Sequence, residues 1–476
     1  MSVGKTWWVM FGLLACGEDK DVEDTAVPGE PTSVTGTTGT TGTTSTTTTL
    51  SDSFVAEWGA EVHENMGSIV VVTWEQLQEA QVWWEYSFDE DIWLSTPIEM
   101  ASKGPQEQLL LGVPFGTEVE FKLQYQVGED TLTAYESTLT TGDAPDGLVD
   151  SVIISMDEDR IDPAIPWFLM SMEGSGRSGP WTVVIDRQGR YVWAVETTGG
   201  YWTMHTQTSY DGTSFLIDRN SFWGMFDAGA SSQVIRMRID GSIVDIYDTP
   251  GLHHPFTELP DGSIAWGAAQ SFFGGDETLD IRRPDGTYET LWSCEAWQDS
   301  VGFSESCGSN TLRWHEPSGV FLYSFYTFET VIEIDGETGV SNRWFGHAPE
   351  SWGFDPEESI FYWQHGGHYT DSGTFLTSSE SWVEGHETVV REYELDEKRE
   401  VLVEVFNFGL GEGVYGATMG EAHWLPSGNI LHNYGDEVRL REGTPDGDVV
   451  WDIGWPSASE QIGRSTPLES LYPFVP

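Results

Sequence analysis

The sequence predicts an all-β protein in which a small β-sandwich precedes a six-bladed β-propeller. Two observations carry this expectation. The turn dipeptides Asp211-Gly212, Asp261-Gly262, Ser318-Gly319, Ser372-Gly373 and Ser427-Gly428 recur at intervals of about 50 to 57 residues, the length of a propeller blade. Ahead of them, residues 53–146 hold short alternating apolar runs split by polar or Gly-containing turns, the pattern of half-buried strands in a meander. A chain of 476 residues accommodates one propeller and one smaller module.

Residues 1–16 read as an export leader. Lys5 precedes the apolar run Thr6 to Ala15, too short to span a bilayer but suited to the central region of a signal peptide. The run ends Leu13-Leu14-Ala15-Cys16, similar to a bacterial lipoprotein cleavage box in which Cys16 would carry the lipid; an ordinary secretory signal with a coincidental cysteine is the alternative. Residues 17–52 are acidic and then Thr/Gly-rich, a composition that buries no core and serves as a tether. The expected location is therefore the cell envelope, with a membrane partner through the lipid anchor.

Within 53–146, the runs Ile69 to Trp74, Gln81 to Tyr86, Glu107 to Leu111, Glu118 to Val127 and Thr131 to Leu139 read as strands. Trp74, the turn Val113 to Thr117 and the closing TLTTGDAP together resemble a fibronectin type III domain, although Val119 stands where that family often has a tyrosine. No chemistry is visible here.

The propeller is expected over 150–476, with a first clear unit at Trp181 to Trp193 around Gln188-Gly189 and a closing strand from Glu469 to Phe474. Blades aim their first strands at one axis, so the strands entering the recurrent turns should bring His205, His253 with His254, His365 with His368, and His423 to a central funnel. Two of these lie on one short segment, QHGGHYTDSGTFL, Gln364 to Leu376.

Charge and cysteines narrow the function. Lys and Arg number 21 against 78 Asp and Glu, a net charge of −57, which excludes nucleic acid as a partner and demands local donors or cations for any anionic substrate. Cys294 and Cys307 read most simply as a disulfide in an exported chain. Neither a cofactor nor a metal is expected: a divalent ion held by funnel histidines with Glu258 or Glu421 has no dense ligand motif behind it, and the Asp-Gly turns lack the spaced acidic pattern of calcium loops.

The runs HHPFTELPDGSIAW (His253 to Trp266), NTLRWHEPSGVFLYSFYTFETVIEIDGETG (Asn310 to Gly339), QHGGHYTDSGTFL and EAHWLPSGNILHNYG (Glu421 to Gly435) together resemble successive blades of the bacterial arylsulfate sulfotransferases. The resemblance implies transfer of a sulfuryl group from an aryl sulfate to a phenol through a sulfated histidine. By position it makes His365 the nucleophile and His253 or His254 a supporting acid or donor. Asn310, Tyr326, His368, His423 and His205 are then candidate substrate contacts. The chain departs from the family pattern in two places: Gly308-Ser309-Asn310 replaces His-x-Asn, and Tyr323 to Thr327 lacks an arginine, so two stabilisers of developing negative charge are missing.

Each residue also has a plainer reading. His365 also reads as a lining histidine bonded to backbone, His368 as supporting because three residues along a strand reverse its face, and at most one of His253 and His254 should face the funnel. His423 reads as structural, and His315, His347 and His386 as solvated turn residues. Gly366-Gly367 would leave room for an aryl group. A propeller that binds a ligand or protein in the same funnel without transferring anything is the alternative function.

Overall fold

The computed structural model describes residues 54–89, 92–173, 179–271, 275–456 and 461–476, which are built almost wholly from antiparallel strands. The expected leader, Cys16 and the segment to residue 52 lie outside the described residues. Among the described residues no helix is long and apolar enough to cross a membrane.

Alternation builds the first part. Val55–Val62, Val70–Gln76 and Gly104–Leu110 form one sheet in that order. Ile92–Ser95, Ala80–Asp89, Glu118–Val127 and Asp130–Thr140 form a second, with Glu99–Ala101 also paired to Ala80–Asp89. Val70, Val72 and Trp74 face Val82, Trp84, Phe121 and Leu123 in a common core, where Trp74 and Trp84 meet edge-on at 5.6 Å between ring centroids. The intervening residues of the first sheet are apolar too. Ile69, Val71, Leu109 and Leu111 therefore need a second partner, and they share a core with Trp167, Trp193, Phe215, Leu468 and Phe474. Ser68 Oγ donates to the Val192 carbonyl (2.7 Å), and the Tyr86 and Tyr472 hydroxyls bond each other at 2.9 Å. Val55–Val62, Ile92–Ser95 and Glu99–Ala101 escaped the sequence reading; all three are short or lie largely open to solvent and show weak alternation.

From residue 152 onward six sheets follow. Five are headed by Thr206–Thr208, Leu252–Glu258, Ser309–His315, Tyr362–Tyr369 and Glu421–Trp424, and in each the following three strands pair in chain order. The recurrent turn dipeptides join the first strand to the second in all five, and each of their glycines has positive φ, between 66° and 88°, as tight hairpin turns require. The sixth sheet is assembled from both ends: Tyr191–Glu196, Trp181–Asp186 and Trp167–Met172 come early, and Ile462–Leu468 supplies the innermost strand.

Two expectations change here. The unit placed at Trp181 begins one strand earlier, at Trp167–Met172, whose run of six buried residues shows no alternation because both faces are covered. The closing strand is Ile462–Leu468, not Glu469 to Phe474. Pro467 and Gly463 make IGRSTPL read poorly as a strand, yet an innermost strand with one free edge tolerates them. Tyr472–Phe474 instead forms a 3-10 turn whose Phe474 ring packs on Phe215 at 4.4 Å between centroids. Val152–Met156 adds a fifth strand to the outside of the sheet headed by Glu421–Trp424, and Gly353–Asp355 pairs parallel to Val401–Phe408.

Cys294 and Cys307 form a disulfide across a helix, Cys294–Val301, and the loop behind it. A closed loop of this length constrains the unfolded chain by about 3 kcal/mol. The double replacement Cys294→Ala with Cys307→Ala is expected to lower the unfolding free energy by roughly that amount. Denaturant titration checks it, and an unchanged midpoint would refute a stabilising bridge.

Candidate functional site

Hydrogen bonds near the starts of the strands that head these sheets tie several of them together at one level. His205 Nδ1 donates to the His254 carbonyl (3.1 Å). Glu277, paired with His253, accepts the Ser309 backbone N–H at 3.0 Å. Asn310 Nδ2 donates to the Gln364 carbonyl (2.6 Å), and Gly366 N–H to Thr311 Oγ1 (3.0 Å). Ser465 N–H donates to Glu421, and Arg464 N–H to the Met204 carbonyl at 2.9 Å.

His365 sits half-buried in this level. Its Nδ1 lies 2.9 Å from the Trp363 carbonyl, which cannot donate, so Nδ1 carries the hydrogen and Nε2 keeps an unshared lone pair. Trp363 supplies that carbonyl from a left-handed conformation, φ 47°, that a bulky side chain seldom adopts. Burial first, then the positive charge of Arg464, pushes the His365 imidazole down to about 3, so it is neutral at physiological pH.

Arg464 is the cation that the sequence reading found wanting. It is 1% exposed, and its guanidinium bonds the carbonyls of Gly420 and Asn310 and the hydroxyl of Thr311, while Nε has no partner. Glu421 lies 3.9 Å away and also accepts from Arg313 at 2.5 Å. Burial pushes Arg464 down to about 10, still protonated at neutral pH. Glu421 is held well below the ordinary carboxylate range: burial opposes this, but His423 and the two arginines outweigh it. The hint was available: cations are few, and both Arg313 and Arg464 stand on strands that become innermost.

His253 and His254 are both buried. The strand is bulged between Leu252 and Phe256, which breaks the alternation that would separate them. Their Nδ1 atoms are 3.1 Å apart, and His253 Nε2 is 3.0 Å from Glu277 Oε1. Glu277 also accepts the hydroxyls of Ser309 and Tyr323. Against the cost of burial, His253 and these hydroxyls hold its carboxyl below the usual range. His205 is buried with Nε2 unpaired, and Asn310 spends its amide on tying two strands together.

His368 and His423 occupy a different place. Further along the same strands they line a cavity of about 210 Å³ together with Arg313, Trp314, His315, Leu322 and Tyr369, their rings 6.0 Å apart. Irregular register on either side of His365 carries His368 there, and its Nδ1 donates to the Gly366 carbonyl at 2.7 Å. His365 does not line this cavity. His315, read as solvated, belongs to it, with Nδ1 2.6 Å from Ser318 Oγ. His347 contacts the Phe361 carbonyl at 3.0 Å and His386 contacts Glu380 at 2.8 Å, so neither is free. Glu258 pairs with Arg236 and accepts the Tyr210 N–H, away from the histidines. His432 bonds Ser378 at 2.9 Å between two neighbouring sheets.

Aromatic residues cluster about the strand that carries His365. Tyr326 lies 6.2 Å from Trp363, and Tyr362, Trp382, His386 and Tyr415 follow in ring-to-ring contact, with Trp363 and Trp382 38% and 50% exposed. The Gly366-Gly367 pair does not open space for a ligand. A Cβ on Gly366 would stand 2.6 Å from that of Glu421, and one on Gly367 3.2 Å from Phe375, so the glycines serve close strand approach.

No family model and no curated protein matches the chain. Among solved structures, a Bacteroides caccae protein of unknown function is similar at 15% identity and a TM-score of 0.43, over 64% of this chain and all of that one. A putative 6-phosphogluconolactonase from Bacteroides uniformis aligns at 14% and 0.39, covering 82% of this chain and 100% of that one. Virginiamycin B lyase from Staphylococcus aureus aligns at 10% and 0.33, covering 67% and 88%.

Two outcomes follow from this geometry. Gly366→Ala combines a forbidden contact with φ 67° and is expected to destabilise the fold by at least about 1 kcal/mol, seen as a lower melting temperature; an unchanged one would contradict the packing. The second concerns acid. Burial above all depresses His205 and His254 well below the ordinary value, and His365, His368 and His432 to about 3. Below about pH 6.5 the unfolded chain therefore binds protons that the folded one refuses, and stability falls with acidification from that point. Asp218, raised to about 6 by burial, acts in the opposite sense but is one group against five. The denaturant midpoint should be lower at about pH 5 than at about pH 7.5; an equal or higher value would overturn this.

Proposed function

We propose that the six sheets are the blades of a six-bladed β-propeller, and that the site at its axis transfers a sulfuryl group from an aryl sulfate to a phenol with His365 as nucleophile. The observation that carries this reading is the bond from His365 Nδ1 to the Trp363 carbonyl, which leaves Nε2 a bare lone pair beside Arg464. A neutral imidazole is the nucleophilic form, and a covalent intermediate divides the transfer into two easier displacements. Arg464, with an unpaired Nε–H, offers the positive charge that the sulfuryl oxygens need in a chain of net charge −57. The rings of Tyr326, Trp363 and Trp382 suit a flat aromatic donor or acceptor.

In this reading Nε2 of His365 attacks sulfur, the S–O bond to the aryl group breaks, and the phenolate leaves; a second phenol then takes the sulfuryl group and restores the imidazole. We read the preceding two-sheet module, which shares a core with the sheet closed by Ile462–Leu468, as a fibronectin type III-like domain. Export and lipid anchoring through Cys16 complete the proposal, and the disulfide is compatible with an oxidising compartment.

Incubation with p-nitrophenyl sulfate is expected to release p-nitrophenol and leave a sulfated His365 detectable by mass spectrometry, because the first displacement needs no acceptor. His365→Ala should lose the adduct, and Arg464→Lys should slow its formation by about 10²-fold or more. A wild-type protein that releases no phenol from a range of aryl sulfates, yet is stabilised against heat by a phenol or aryl sulfate, would replace transfer with ligand binding.

A further inference from the structure

Glu277, His253 and His254 stand in line, and their hydrogens are assigned by elimination. His254 Nδ1 lies 2.9 Å from the His253 carbonyl, which only accepts, so His254 carries its hydrogen on Nδ1. That same hydrogen also faces His253 Nδ1 at 3.1 Å, which must then be the acceptor. His253 therefore carries its hydrogen on Nε2 and donates it to the Glu277 carboxylate at 3.0 Å. The consequence falls on the far atom: His254 Nε2 holds a lone pair and makes no hydrogen bond among the described residues.

We infer that Glu277, His253 and His254 form a proton relay whose working end is His254 Nε2, with Glu277 as a positioning residue that acts through His253. The inference rests on the sulfuryl-transfer reading and adds the route of the proton. The acceptor phenol gives its O–H proton to His254 Nε2 while its oxygen bonds to sulfur, and the S–N bond to His365 breaks with its electrons returning to Nε2 of that ring. His254 passes its Nδ1 proton to His253, so the positive charge comes to rest on His253 against the Glu277 carboxylate. When an aryl sulfate next reacts with His365, the same proton returns along the line to the departing phenolate, and the cycle balances.

The surroundings explain why two imidazoles are used. His254 faces His253, His205 and Arg464, and burial together with these neighbours opposes a charge on its own ring. Glu277 faces His253, Ser309 and Tyr323, with Tyr326 near by, and among the described residues no arginine or lysine pairs with it. Moving the charge one ring outward takes it away from Arg464 and toward a carboxylate.

Glu277→Gln keeps the shape but cannot hold a cation. With sulfated enzyme and a series of substituted phenols, this variant is expected to lose about 10²-fold in rate with weakly acidic acceptors and progressively less as acceptor acidity rises. Adduct formation from p-nitrophenyl sulfate, whose leaving group needs no proton, should stay within a few-fold of wild type. A uniform loss across all acceptors would overturn the relay in favour of a structural role. A second measurement needs neither turnover nor the variant. Nitrogen-15 histidine spectra of the resting full chain should report His254 as the Nδ1–H form and His253 as the Nε2–H form. The reversed order overturns the relay whether or not an adduct forms. Absence of any adduct, with the stated order present, overturns the transfer reading alone.

Discussion

Arg464 is the residue around which the interior is arranged. It enters on the last strand of the chain, yet its side chain is bonded to the strands that begin near Ser309 and Glu421, and its backbone to the segment before Thr206. A guanidinium taken out of water is costly unless its donors are met, and here carbonyls, a hydroxyl and a nearby carboxylate meet most of them. Those carbonyls come from different sheets. A single buried cation thus fixes the relative placement of strands that share no ladder of backbone hydrogen bonds.

The same cation sets the chemistry of its neighbours. A protein so acidic overall would be expected to favour protonated histidines. Its interior does the reverse, because burial and Arg464 outweigh the distant surface carboxylates, which solvent and salt screen. The imidazoles of His205, His254 and His365 are consequently lone-pair donors, not cations. Local geometry, not net charge, decides what an anionic ligand would meet here.

Much of the architecture could be read from the chain because repetition is a long-range signal carried by short-range chemistry. The glycines after Asp211, Asp261, Ser318, Ser372 and Ser427 mark the same turn five times, and of the histidines ahead of those turns His205, His253 and His254 are buried. What escaped were features that depend on departures from regularity. The bulge before Phe256 places His253 and His254 together, and the irregular register around His365 sends His368 to another cavity. Glu277 heads a third strand in its neighbourhood, remote from any motif, and acquires its meaning only when Ser309 and Tyr323 fold over it. Arg464 hides between Gly463 and Pro467, in a strand that pairing with Trp167–Met172 creates.

The closing sheet joins strands made early to the one made last, and this orders events in time. A chain emerging from synthesis or export can form its middle sheets from neighbours in sequence, but Trp167–Met172 must wait for Ile462–Leu468. Until then the edge of Trp167–Met172 away from Trp181–Asp186 has no strand to pair with. The cation beside His365 arrives with the same strand. A chain not yet extended to Leu468 therefore lacks both that strand pairing and the buried charge of Arg464.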